Sequence, residues 1–144
     1  MKFAKNGFTL LEILVVIMII AVLATIVGVN VANRPAEARI TAAKAQIRAF
    51  QAALQIYKMD NGVYPTQQQG LKALCVKPDV DPIPEKYPAD GYLQSQNLPL
   101  DPWKNPYVYL SPGTKGEPYE IITYGADGEP GGTGEAADIS SSSL

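Results

Sequence analysis

The stretch GFTLLEILVVIMIIAVLATIVGVNV, residues 7–31, decides the fold. It follows a short segment that carries Lys2 and Lys5. The apolar run from Phe8 to Val31 has about the ~20 residues that a helix needs to cross a bilayer, and the basic flank predicts a cytoplasmic N-terminus with the rest of the chain exported. An ordinary secretory signal would place its cleavage site after the apolar region. Residues 8–33 are therefore predicted to stay in the chain as a transmembrane helix.

A single acid, Glu12, interrupts the start of this run. A carboxylate inside a membrane helix costs on the order of 2.5–3.5 kcal/mol on insertion scales and usually marks a function with a definable partner. One such partner is the α-amino group of Phe8, released if the chain is cut after Gly7, in the same subunit or in a neighbour. The alternative is a chance acid at the membrane interface.

A second helix is predicted over residues 34–61. Pro35 follows the apolar run and predicts a kink, because proline removes a backbone donor and clashes with the preceding turn. The helix from Phe8 to about Met59 would then be roughly 75 Å long. Its second half repeats apolar residues at spacings of three and four, which predicts one buried stripe: Ile40, Ala43, Ile47, Phe50, Leu54 and Tyr57. Gly62 is the predicted stop.

Residues 62–144 are predicted to form a small head. Gln67–Leu74 is expected to be a short helix capped by Thr66. Tyr107–Leu110 and Tyr119–Tyr124 have strand composition, and the SPGTKG segment between them suits a hairpin. The predicted fold class is α+β, with the long helix packed on a small antiparallel sheet.

Composition excludes several classes of activity. The chain has no histidine, which excludes Ser-His-Asp and Cys-His catalysis, and no catalytic residue is predicted. Its one cysteine, Cys75, is predicted to be a small buried side chain. A net charge of −2 without a basic stripe predicts no nucleic-acid partner. A membrane-tethered enzyme or binding module is the different-class alternative, and it would tolerate loss of Glu12.

The segment from Gly125 to Ile139 is the one candidate ligand site. It combines five glycines with the acids Asp127, Glu129, Glu135 and Asp138. Calcium takes six to eight oxygens from carboxylates and carbonyls, which such a loop can supply. Composition alone favours a solvated acidic loop over a calcium site.

The stretch GFTLLEILVV, residues 7–16, resembles the class III signal of type IV prepilins and type II secretion pseudopilins. The resemblance implies a leader of residues 1–7, cleavage between Gly7 and Phe8 by a prepilin peptidase, and N-methylation of Phe8. It also implies a role for Glu12 in assembly, since the family has an acid at the fifth position of the mature chain.

Four motifs in the head are similar to those of one member, the major pseudopilin (G subunit) of type II secretion: YPTxxxGLxAL at 64–74, YPADGYL at 87–93, LPxDPWxNPY at 98–107 and YGADGxPGGxGxxADI at 124–139. The chain departs from that family at Lys104, where glycine is usual, and in the tail Ser140–Leu144, which lacks an aromatic end. These departures leave open a divergent paralogue of a related fibre machine.

This resemblance implies a homo-oligomeric helical fibre, the periplasmic pseudopilus, that drives export of folded proteins across the outer membrane. It implies partnership with minor pseudopilins and an inner-membrane assembly platform, and a single-pass inner-membrane subunit with a periplasmic head. It further implies a structural calcium ion held by Asp127 and Asp138, with main-chain carbonyls near Tyr124 and Thr133 and with Glu129 and Glu135 as weaker candidates. The alternative is a surface type IV pilin for adhesion or motility.

Overall fold

The computed structural model describes residues 8–32 and 34–144, with side chains placed for residues 8–24 and 35–144. The predicted leader, residues 1–7, lies outside these ranges. The structure divides into two units at Ala36–Glu37.

The first unit contains helix α1, Leu10–Ala32. Its placed apolar side chains point outward all round the helix, so no side of it is covered within the unit. Considering only the part of the chain that is described, we find no helix long and apolar enough to cross a membrane. The transmembrane segment predicted at 8–33 runs into residues 25–33, whose side chains are not placed, and it stays a prediction.

Helix α2 spans Arg34–Asn61, and its residues from Glu37 onward belong to the second unit. Pro35 is the second residue of α2 as described. The predicted kink concerns the junction at Asn33, which lies outside the described residues. The predicted stop is confirmed: Gly62 takes φ +77° and its N–H donates to the Lys58 carbonyl at 2.7 Å, which closes the helix with a left-handed residue.

The predicted stripe of α2 forms the core of the head. Ala43, Ile47, Phe50, Leu54 and Tyr57 are all buried, and Ile40 packs partly buried at the edge. The Phe50 ring meets Tyr107 edge to face at 5.0 Å between centroids, a favoured geometry for aromatic pairs. The rest of the core comes from the head: Leu71, Leu74, Tyr109, Ile121 and Ile139.

The sheet has three antiparallel strands in the order β1–β2–β3: Val108–Leu110, Glu120–Thr123 and Ile139–Ser140. β1 and β2 pair Tyr109 with Ile121 and form the predicted hairpin. β2 and β3 pair Thr123 with Ile139. The two predicted strands are confirmed, whereas β3 was not predicted, because two residues before a run of serines carry no alternating pattern.

The helix predicted at Gln67–Leu74 is wrong in its extent. A turn covers residues 67–70 and a 3-10 helix covers Leu71–Leu74. Gly70 separates them with φ +59°, a conformation that cannot continue a right-handed helix. Thr66 does cap the turn, since its hydroxyl accepts from the Gln69 N–H at 3.3 Å and the Gln69 amide oxygen accepts from the Thr66 N–H at 3.0 Å.

The connection from Val76 to Leu98 has no helix or strand and is fixed by side chains instead. The Gln69 amide donates to the carbonyls of Val80 and Pro82 at 2.8 and 2.9 Å. The Tyr87 hydroxyl donates to the Ala73 carbonyl at 3.0 Å, and burial raises the pKa of Tyr87 to about 12. Cys75 is buried below this segment, as predicted, and burial raises the pKa of its thiol.

Candidate functional site

The N-terminal residues singled out by the sequence lie at the start of α1. Phe8 is 77% exposed, and Gly7 lies outside the described residues. The Glu12 N–H donates to the Thr9 hydroxyl at 3.2 Å and to the Thr9 carbonyl at 3.1 Å. Thr9 therefore caps the helix.

Glu12 itself stands in the first turn of α1 and is exposed. An acid there is favoured by the positive end of the helix dipole. Its exposed carboxylate can also accept a hydrogen bond from a cationic group. The arrangement can therefore hold a positive charge at the end of an otherwise apolar rod.

The second candidate site is the loop over residues 124–138, and its first turn is held at Gly125. The Gly125 N–H donates to the Thr123 hydroxyl at 3.2 Å, and its carbonyl accepts from the Asn105 amide at 2.7 Å. Its φ is +67°, and a Cβ there would lie 2.3 Å from the Glu135 carbonyl oxygen. Only glycine fits this position, where the two ends of the loop pass each other.

Asp101 is the centre of the support below the loop. It is buried, and one carboxylate oxygen accepts from the N–H groups of Trp103 and Asn105 at 3.0 and 2.7 Å. The other accepts from the Thr123 hydroxyl at 2.5 Å. The sequence predicts only a turn at Asp101-Pro102. No sequence signal links Asp101 to Thr123, which lies 22 residues away.

Glu135 closes the far end of the loop. Its carboxylate accepts from the Trp103 indole N–H at 3.1 Å and from the Arg39 guanidinium at 3.2 Å. Its carbonyl accepts from the Ala126 N–H at 2.8 Å. This carboxylate therefore links the loop to Arg39 of α2 and to Trp103 by hydrogen bonds. The sequence did not predict this role.

The two favoured calcium ligands, Asp127 and Asp138, form hydrogen bonds within the loop itself. Asp138 accepts from the Gly131 N–H at 2.9 Å, and Asp127 accepts from the Glu129 N–H at 3.3 Å, in each case through one oxygen. The Thr133 carbonyl accepts from the Ala136 N–H at 3.2 Å.

The atoms of this loop that could bind a metal are all oxygens. Each of the two aspartates has a second carboxylate oxygen that makes no hydrogen bond to the described residues. Oxygen-only donors suit a hard cation such as calcium. Among the side chains that are placed, no three carboxylates or thiolates are grouped to hold a metal. A calcium ion here would therefore depend on two carboxylates plus main-chain carbonyls.

Glu120 is a further buried acid that the sequence did not single out. It is 4% exposed on β2, and its carboxylate accepts from the Ser140 hydroxyl at 2.6 Å and from the hydroxyl and N–H of Thr114 at 2.5 and 3.0 Å. The Ser140 bond, followed by the Thr114 bonds, lowers the pKa of Glu120 from 4.5 to about 2. The ionised form therefore joins β2, β3 and the hairpin loop.

We expect Glu120 to make the stability of the head depend on pH. Its folded pKa is lowered, so its contribution is complete above pH 4.5 and is lost as the pH falls towards 2. Glu120→Gln should lower the melting temperature at pH 7, and its difference from the parent should shrink between pH 4.5 and 2. Thermal unfolding of the detergent-solubilised full chain measures this. A difference that stays constant with pH would contradict the role assigned to the charge.

Family models match most of the chain. The model for type II secretion system protein G matches residues 30–142, and the model for the prokaryotic N-terminal methylation motif matches residues 2–28. The second match covers the segment that carries Phe8 and Glu12.

Relatives and a solved structure agree with these models. The chain is 51% identical to the type II secretion system core protein G of Pseudomonas aeruginosa, covering 94% of this chain and 93% of that protein. It is 47% identical to the protein of the same name from Vibrio cholerae, covering 94% and 90%. The crystal structure of the major pseudopilin from enterohaemorrhagic Escherichia coli superimposes with a TM-score of 0.66 and 36% identity, over 80% of this chain and 96% of that one. The helix, the three-stranded sheet and both matched segments together place this chain in the type II secretion system protein G family.

Proposed function

We propose that this chain is the major pseudopilin of a type II secretion system, the subunit that polymerises into the periplasmic pseudopilus. The observation that carries the proposal is the protein G match over residues 30–142, joined to the methylation motif over residues 2–28. The same match favours secretion over the alternative of a surface type IV pilin.

The proposed precursor is cut between Gly7 and Phe8 by a prepilin peptidase, and Phe8 is then N-methylated. The subunit waits in the inner membrane with its head in the periplasm, held by the apolar run that begins at Phe8. It joins a growing fibre with minor pseudopilins on an inner-membrane platform. The outward apolar side chains of α1 support this route, because a rod exposed on all sides needs lipid or neighbouring helices around it.

Within the fibre, Glu12 is proposed to pair with the α-amino group of Phe8 on a neighbouring subunit. Both are exposed at the same end of α1. In an apolar environment an unpaired carboxylate is strongly disfavoured, so the pair would select the axial register of each incoming subunit.

The proposed work of the fibre is mechanical, and we assign no reaction to the chain. Deletion of the gene should leave exported proteins in the periplasm, and restoring the gene in trans should release them into the medium. Comparison of culture supernatants measures this. An unchanged supernatant with loss of surface fibres or twitching would instead assign the chain to a surface pilus, and no change in either would overturn the fibre role.

We also propose that the loop over residues 124–138 holds a structural calcium ion through Asp127 and Asp138, with carbonyls of Tyr124 and Thr133. When bound, the ion would supply positive charge that fixes a loop with little apolar burial of its own. The oxygen-only donor set supports this proposal.

Calcium should raise the melting temperature of the full chain, and a chelator should reverse the rise. Free calcium at a hundred times its dissociation constant would stabilise the head by ~2.7 kcal/mol. Asp127→Asn with Asp138→Asn should remove the response, whereas Glu129→Gln should keep it. An equal calcium shift in the double variant would show that the ion binds elsewhere.

A further inference from the structure

Helix α2 has a second apolar stripe, on the side turned away from the core. We call it the outward face. Its members follow alternating spacings of four and three residues and are all exposed: Ala38, Ala42, Ala45, Ala49, Ala52, Ile56 and Met59. With ~100° per residue, they lie nearly opposite the buried stripe that contains Ile47 and Leu54.

The outward face ends in large side chains. Ile56 is 50% exposed and Met59 is 83% exposed. The alanines along the rest of the face present a low ridge that allows close approach of another backbone. A helix side that faced only water would instead carry polar residues.

Two cations flank the outward face at its middle. Lys44 and Arg48 are exposed, and neither forms an ion pair within residues 8–32 and 34–144. Residues 37–61 carry four basic and two acidic side chains, whereas residues 62–144 carry five basic and eleven acidic ones. The helix and the rest of the head are therefore complementary in charge.

The acids best placed for such a contact lie in the segment 79–90. Asp79, Asp81, Glu85 and Asp90 are all exposed there. In its own subunit this segment is tied to the far end of α2, since the Lys86 N–H donates to the Asn61 side chain at 3.3 Å. Asn61 is thirteen residues beyond Arg48, or ~20 Å along the helix.

We infer that the outward face of α2 is an interface with a second copy of this chain, whose acidic segment 79–90 meets Lys44 and Arg48. In its own subunit the segment forms no ion pair with these cations among the described residues and is tied to the other end of the helix, so we assign the acids to another copy. The inference rests on the proposed function, because it names a contact through which fibre subunits recognise one another.

Carbodiimide cross-linking tests the contact, because this reagent joins a lysine directly to a carboxylate that touches it. It is applied to cells that contain the full chain and its secretion machinery. Linked dimers should yield peptides that join Lys44 to residues 79–90. Arg48→Glu should reduce the dimer yield at least tenfold, whereas Lys115→Glu, an equal charge change at another exposed lysine, should not.

Two further variants test the apolar ridge and the assigned acids. Ala45→Gln should reduce the dimer yield, whereas Ala126→Gln, the same substitution at an exposed alanine outside α2, should not. Adding Asp81→Lys and Glu85→Lys to Arg48→Glu should restore the yield. An unchanged melting temperature of each detergent-solubilised variant confirms that the head is folded.

The outcomes separate the inference from the proposed function. Dimers that form normally in Arg48→Glu and contain no Lys44 link overturn the inference and leave the fibre role intact. Lys44 linked to an exported protein instead of a second copy also overturns it. An absence of any oligomer in the parent strain overturns the proposed function and the inference with it.

Discussion

Replacing Glu12 with leucine should leave the chain in the membrane but abolish its incorporation into fibres. The apolar substitution removes a carboxylate that costs on the order of 2.5–3.5 kcal/mol to insert, so accumulation in the membrane should not fall. Assembly should fail because the ammonium group of Phe8 on the neighbouring subunit then lacks its partner, and an unpaired buried charge costs about 3–5 kcal/mol. That loss corresponds to more than a hundredfold in association.

Subunit cross-linking in membranes and protein in the culture supernatant measure the effect of Glu12→Leu. Glu12→Asp keeps the charge and should retain part of the assembly. Thr9→Ala is the control for the helix start, because it removes only the cap observed at 3.2 Å and should cost ~1 kcal/mol of local stability. Normal secretion by Glu12→Leu would mean that the carboxylate has no part in assembly, as the tethered-module alternative requires.

The second large effect is expected at Asp101. Asp101→Ala leaves three donors without their acceptor: the N–H groups of Trp103 and Asn105 and the Thr123 hydroxyl. Because each buried unpaired donor costs about 1–3 kcal/mol, the free energy of unfolding should fall by at least about 3 kcal/mol. The first turn of the loop should open as well, since Gly125 is held by Thr123 and Asn105.

Thermal unfolding of the solubilised full chain and limited proteolysis measure both consequences of Asp101→Ala. Cleavage should become faster within residues 126–134, which are already exposed. Asp90→Ala removes an exposed acid and should change stability by less than ~0.5 kcal/mol. A stable Asp101→Ala variant with an unchanged cleavage pattern would show that the loop does not depend on this support.

The sequence predicted those parts of the fold that depend on local periodicity. The three-four spacing from Ile40 to Tyr57 identified the buried stripe of α2, and Gly62 identified its end, because helix geometry and the left-handed stop act over a few residues. The hairpin followed from its strand composition and intervening turn residues in the same way.

The missed features depend on contacts between distant residues. β3 has two residues and gains its place only by pairing with β2. The carboxylates of Asp101, Glu120 and Glu135 each accept at least one hydrogen bond from a group 20 to 96 residues away, and these separations show no pattern. Gly70 lies inside the helix predicted at Gln67–Leu74, because the local sequence does not reveal that its φ is positive.

The bond between Arg39 and Glu135 joins residues 96 positions apart. During synthesis, the start of α2 must therefore wait for nearly a hundred further residues before its partner exists. The core contact between Phe50 and Tyr107 can form earlier and brings the two parts of the chain together before Glu135 exists. The Arg39–Glu135 bond and β3, which pairs only once residues 139–140 are present, are therefore the last parts of the head to form. A partly made chain can form α2, the hairpin and the core contact between Phe50 and Tyr107, but it lacks β3 and the Arg39–Glu135 bond.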